Sequence, residues 1–148
     1  MGDFECHFHE REPGRRLLFL RSRTADESRP WLFFLHGAMA GAFTFEQILP
    51  DLAARYNVVA YDALGCGQSQ KPKEADAYAT SELIKDMTTV FDTYIPTNRA
   101  RSTVVVGHSY GVAQAARLVA YLKREDRVDQ LLGIVLMGAA DHIPSGGE

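Results

Sequence analysis

Cysteine, tryptophan and an excess of one charge are what this 148-residue chain has little of: two Cys, one Trp and a formal net charge of −3. Cys6 and Cys66 are far apart and sit in unlike contexts, so no disulfide framework is expected. Only Cys6 has potential metal ligands nearby, in His7 and His9. On a strand the two histidines share one face and Cys6 takes the other, which argues against a metal centre. The weakly acidic balance gives no footprint for nucleic acid. The early arginines (Arg11, Arg15, Arg16, Arg21, Arg23 and Arg29) alternate with acidic residues, and are expected to form a solvated strand-and-loop surface. No apolar run approaches the ~20 residues a membrane-spanning helix needs, and the first residues lack a charged-then-apolar leader. The expected setting is therefore the reducing cytoplasm.

What is present is an ordinary globular composition, 46% hydrophobic and 24% charged, enough for one domain over residues 1–148. Phe4 to Glu10 and Arg16 to Arg23 flank the turn Glu12-Pro13-Gly14 and read as an antiparallel hairpin. Pro30 to Leu35, Asn57 to Tyr61 and Leu132 to Met137 are short apolar runs of the kind that form buried strands. Phe43 to Arg55 reads as a helix capped by Thr44 and kinked or divided at Pro50. Ser81 to Ile95 is amphipathic, with Leu83, Ile84, Met87, Val90, Phe91, Tyr94 and Ile95 at helical spacing. The expected fold is α/β: a mostly parallel sheet with an N-terminal antiparallel hairpin and helices on both faces.

The most informative run is Val104-Val105-Val106-Gly107-His108-Ser109-Tyr110-Gly111-Val112. Three β-branched residues read as a buried parallel strand, and Ala113 to Leu122 reads as a helix. Gly-x-Ser-x-Gly between a strand and a helix is the context of a nucleophile elbow, which exposes a serine hydroxyl at the carboxyl end of a strand. Gly107 and Gly111 let the turn be tight and the helix pack closely. Ser109 is then the expected nucleophile. Acyl transfer also needs donors for an oxyanion, and the loop His36-Gly37-Ala38 after a strand supplies a natural second one. On this reading Ala38 and Tyr110 give backbone N–H groups, Gly37 allows close approach, and His36 is structural. His108 is adjacent to Ser109 on a strained turn and points away, so it is a packed residue and not the base.

These pieces resemble the α/β-hydrolase fold superfamily of the abhydrolase type. Leu35-His36-Gly37-Ala38, the loop Asp62-Ala63-Leu64-Gly65-Cys66-Gly67-Gln68-Ser69 and Gly107 to Gly111 match its motifs in order. The stretch from Asn57 to Ala113 is most similar to the abhydrolase domain-containing protein 8 relatives. The resemblance covers about Phe4 to Ala140, the N-terminal half of such a domain. It implies a serine hydrolase acting on an ester, thioester or lipid-like acyl bond through an acyl-Ser109 intermediate. A serine there argues against the dehalogenases and epoxide hydrolases of this fold, which use Asp as the nucleophile. No cofactor or metal is implied, and the expected partner is a small acyl or lipid-like molecule.

The departures from the pattern are equally informative. In this family the acid and then the histidine follow the serine in the chain, but the sequence ends about 40 residues after Ser109. No residue matches the catalytic His. Asp141 is a weak candidate acid, and His142 lies near the terminus away from any strong motif. The expectation is an impaired hydrolase, retaining at best the part of catalysis that binding and an oxyanion site supply, about 10³–10⁴ over water. The alternative is a non-catalytic binding or assembly module. In both cases the strand Leu132 to Met137 would be an exposed edge open to pairing with another chain.

Overall fold

In a computed structural model that describes residues 3–138, six strands form one sheet in the order β1-β2-β4-β3-β5-β6. They are β1 (Phe4–Glu10), β2 (Arg16–Ser22), β3 (Trp31–Leu35), β4 (Asn57–Tyr61), β5 (Thr103–His108) and β6 (Leu131–Met137). The hairpin β1–β2 is antiparallel and joins β4 antiparallel, while β4, β3, β5 and β6 run parallel. The parallel strands at the centre, β3 and β4, are buried at every position, which is why their sequences are unbroken apolar runs.

Helices cover both faces. On one face, α2 (Thr80–Tyr94) and α3 (Tyr110–Arg124) pack Met87, Val90, Phe91, Ala115, Leu118 and Leu122 onto Phe33, Val59 and Val105. On the other, α1 (Leu49–Ala53) and the 3₁₀ turn Ala42–Phe45 set Leu49 and Phe45 against Phe34, Val58 and Ala60. The strand period of two assigns the side chains: Phe33 goes to the first layer, where it meets Phe91 edge-on at 5.3 Å, and Phe34 to the second.

Two sequence expectations change. The helix expected over Phe43 to Arg55 is split into the 3₁₀ turn and the short α1, with neither capped by a side chain. The segment is divided, not kinked, and the division falls just before Pro50. Pro50 occupies the first turn of α1, where a missing N–H is harmless. The early arginines are also not one solvated surface. Arg15 is 5% exposed and grips Asp86 of α2, itself 1% exposed, through Nε to Oδ1 at 3.0 Å and Nη2 to Oδ2 at 2.5 Å. Arg15 Nη1 also donates to the Ala77 carbonyl at 2.7 Å, and Arg11 pairs with both Asp86 and Glu82. Hydrogen bonds from Lys85 and Arg11 lower the Glu82 carboxyl to about 2. The turn of the β1–β2 hairpin is thereby fastened to α2 by a buried ion pair.

Removing one partner of such a pair strands the other charge in a desolvated site. Asp86→Ala is expected to destabilise the fold by about 3–5 kcal/mol, read as a fall in the urea midpoint. A loss below about 1 kcal/mol would show that water reaches the guanidinium groups freely.

Candidate active site at the carboxyl end of the parallel strands

Strand β5 ends at His108 and helix α3 begins at Tyr110, so the whole change of direction falls on Ser109. Its backbone takes φ 54 and ψ −116, a region that side-chain-bearing residues seldom occupy and that stores about 1–3 kcal/mol of strain. Steric limits on both sides hold it there. A Cβ at Gly107 would lie 2.6 Å from the Gly111 carbonyl oxygen, and one at Gly111 would lie 2.0 Å from that of Leu35. Only glycines let α3 start this close to β3 and β5. The Ser109 N–H donates to the Met137 carbonyl at 2.9 Å, which ties the turn to the end of β6.

The loop after β3 closes on the same point. A Cβ at Gly37 would stand 3.3 Å from Ser109 Cβ and 3.4 Å from His108 Nδ1. Asp62, 3% exposed, sets that loop. Its Oδ1 accepts the Ala42 N–H and its Oδ2 the Gln68 N–H, both at 2.7 Å. A Cβ at Gly67 would fall 2.0 Å from Asp62 Oδ2, so the loop 62–69 can fold over the carboxylate only with glycine there. Ser69 completes the fastening: its hydroxyl donates to the Asp62 carbonyl at 2.6 Å and accepts the Leu18 N–H at 2.8 Å.

His36 is locked in one tautomer. Nε2 accepts the Ala63 N–H at 2.9 Å, which leaves the proton on Nδ1 to donate to the Gly37 carbonyl at 2.7 Å. Burial pushes its pKa down, because a charged ring would be poorly solvated there. With both nitrogens engaged, His36 holds two loops together and has none left for Ser109. Among the described residues no hydrogen bond joins any histidine to the Ser109 hydroxyl: His9 bonds the Tyr94 hydroxyl, and His108 Nδ1 is buried without a partner. Asp141 and His142 lie outside the described residues.

A cavity of about 210 Å³ opens beside this turn. Gly37, Ala38 and Tyr110, singled out by sequence, all line it, together with Leu35, Leu64 and Leu83. Tyr110 begins α3, so its N–H belongs to the first helical turn and has no partner within the helix. Its side chain is drawn along the helix by Arg117, whose Nη1 donates to the phenol oxygen at 3.0 Å. Phe43 and Phe45, the aromatic residues of the segment after the Gly37 loop, do not line the cavity: Phe45 packs on Phe34 and Phe43 is exposed. Residues that sequence reasoning missed are Tyr61, Cys66 and Gln114 in the wall. Gln114 had a signal, since it lies one turn after Tyr110 and shares the buried face of α3 with Ala115, Leu118 and Leu122. Burial raises the Cys66 thiol, and a neutral buried thiol is a poor nucleophile.

The family model for the alpha/beta hydrolase fold matches residues 30–146. The chain belongs to the α/β-hydrolase fold family. Its curated relatives include epoxide hydrolase B of Mycobacterium tuberculosis, 34% identical over 122 residues, which are 82% of this chain and 33% of that protein. They also include human protein ABHD8, 38% identical over 84 residues, or 55% of this chain and 18% of that one. Among solved structures, an alpha/beta hydrolase from Novosphingobium aromaticivorans superposes with a TM-score of 0.77 at 24% identity, covering 92% of this chain and 44% of that one. The chain therefore spans a third or less of the length of these curated relatives. No helix among the described residues is long and apolar enough to cross a membrane.

Acid should loosen this site through His36. Its folded pKa lies below the unfolded value of 6.5, so below about pH 6.5 the unfolded chain takes up a proton that the folded one refuses. Stability contributed by the neutral ring is present above that pH and is lost as pH falls through it. The expected result is a urea midpoint that drops between pH 7.5 and 5.5 in the native chain. The drop should be smaller in His36→Gln, although that variant starts less stable; equal slopes would remove His36 from the account.

Proposed function

We propose that this α/β-hydrolase domain carries the nucleophilic half of a serine hydrolase that cleaves an ester, thioester or lipid-like acyl bond through an acyl-Ser109 intermediate. The observation that supports it most is the backbone of Ser109, held at φ 54 between glycines that admit no Cβ, with the Gly37 loop facing it. A fold maintains strain of that kind where a side chain must be presented in one direction. Attack by Ser109 Oγ on an acyl carbonyl would place the developing oxyanion near the Ala38 and Tyr110 N–H groups. Those donors, the second at the positive end of α3, would stabilise it.

The serine also bears on the relatives' chemistry. Epoxide hydrolases of this fold are expected to use an aspartate as nucleophile, so the likeness to epoxide hydrolase B supports a hydrolase and leaves the acyl reading in place for this chain. His36 is engaged at both nitrogens and no described histidine bonds Ser109, which supports a base contributed from outside residues 3–138. Within the 148 residues, Asp141 is the candidate acid. Without a base, Ser109 reacts slowly.

Labelling with a fluorophosphonate probe tests the assignment directly. The 148-residue chain is expected to be labelled slowly, and Ser109→Ala not at all. Label that persists in Ser109→Ala overturns the nucleophile; a folded chain that takes up no label overturns catalysis by this polypeptide.

A second reading is favoured by one specific observation, the outer edge of β6. Leu132, Ile134, Val135 and Leu136 are each 43–52% exposed there, and they belong to both faces of the strand. An apolar edge of this kind pairs readily with another strand. On this reading the domain is a binding or assembly module and β6 pairs with β6 of a second copy. Size-exclusion chromatography with light scattering decides the point: a dimer that Ile134→Lys dissociates supports self-pairing, and a chain that stays monomeric as its concentration is raised overturns it.

A further inference from the structure

We propose that the cavity beside Ser109 is a binding pocket for a small, ring-sized group bearing a hydroxyl, and that Gln114 is the residue that reads the hydroxyl. The proposal deepens the acyl-Ser109 reading, and it rests on that reading only in naming the occupant as part of the acyl group.

Size comes first. Apolar protein cavities of about 150 Å³ take up benzene, so about 210 Å³ holds a ring with a few additional atoms. The wall is chiefly apolar, from Leu35, Ala63, Leu64 and Leu83, which favours a hydrocarbon body.

The polar part is narrower still. Five wall residues other than glycine carry a polar side-chain atom, and three of them are already committed. His36 uses both ring nitrogens within the fold, the Cys66 sulfur receives the Met39 N–H, and the Tyr110 phenol receives Arg117. Gln114 is different. Its residue is 5% exposed and its Oε1 is buried with no hydrogen-bond partner. Buried amides are nearly always paired, so an unpaired one on a cavity wall points to a partner that arrives with the ligand. Tyr61, 3% exposed, stands in the same wall, and its burial keeps the phenol protonated and therefore a donor. A ligand hydroxyl satisfies both requirements, donating to the Gln114 carbonyl and accepting from the Tyr61 phenol. A hydrocarbon would leave both unmet, and a site built to bond a hydroxyl discriminates more sharply than an apolar pocket does.

The pair phenol and toluene tests this, since they match in size and differ in the hydroxyl. Binding of each to the 148-residue chain is measured by calorimetric titration or ligand-observed NMR. Gln114→Leu is expected to shift the phenol-to-toluene affinity ratio towards toluene by about three- to tenfold, the range of one neutral hydrogen bond. Gln114→Leu should also raise the Tm of the free chain, because it removes a buried group with no partner. A ratio that changes less than about threefold overturns the proposal. So does a fall in Tm, the mark of a glutamine that holds the fold, and so does a failure of both molecules to bind. If Gln114→Leu does not fold, Tyr61→Phe is read in the same way. Ser109→Ala should leave the ratio unchanged. A native chain that takes up no phosphonate label but keeps the phenol preference would overturn the acyl-enzyme and leave the pocket standing; a native chain labelled at Ser109 without the preference would do the reverse.

Discussion

The start of α3 lies against the Leu35 carbonyl with no room for a Cβ between them, and the geometry of the site follows from that contact. Close approach at Gly111 fixes where α3 begins relative to β3. It fixes also that Ser109, one residue after β5 and one before α3, must make the turn alone at positive φ. The same approach brings the helix N-terminus, with its unpaired N–H groups, up to the Gly37 loop. A methyl group at residue 111 would force β3, β5 and α3 apart together, because the atom it meets is backbone and cannot rotate away.

A second constraint keeps the loops in place, and it is structural where the motif suggests chemistry. The loop Asp62 to Ser69 is among the most recognisable parts of the sequence. Yet the Asp62 carboxylate accepts two backbone N–H groups, one from its own loop and one from Ala42 beyond β3. His36 adds a third link, from β3 to Ala63. The loops that border the cavity are thus fastened to one another by side chains already engaged within the fold. Gln114 contrasts with them because its amide oxygen is left over.

How much could be read from sequence depends on whether the signal was local. The hairpin, the buried strands β3 and β4, the amphipathic α2 and the sharp turn at Ser109 each rest on residues adjacent in the chain. Period, turn chemistry and glycine placement were enough for these. The pairing of Arg15 with Asp86 joins residues 71 apart, and the charge pattern alone made it look like solvated surface. The Phe43 to Arg55 segment failed for a related reason: periodicity favoured one helix, while the need to bury Phe45 and Leu49 against β3 and β4 broke it into two short turns. The cavity was illegible because its wall draws on β3, β4, α2, α3 and two loops at once.

Strain at Ser109 gives a way to weigh the catalytic and the binding readings against each other. About 1–3 kcal/mol is a substantial fraction of the stability of a domain this size, and a glycine at that position would relieve it. The surrounding glycines show that the fold is shaped around the strained conformation. A binding pocket alone does not require it, since the cavity wall is formed by Leu35, Tyr61, Leu64, Leu83 and Gln114 without the Ser109 hydroxyl. Presentation of that hydroxyl towards the Gly37 loop does require it. The strain therefore supports the proposed nucleophile at Ser109, whereas the exposed edge of β6 supports the assembly reading and does not account for the strain.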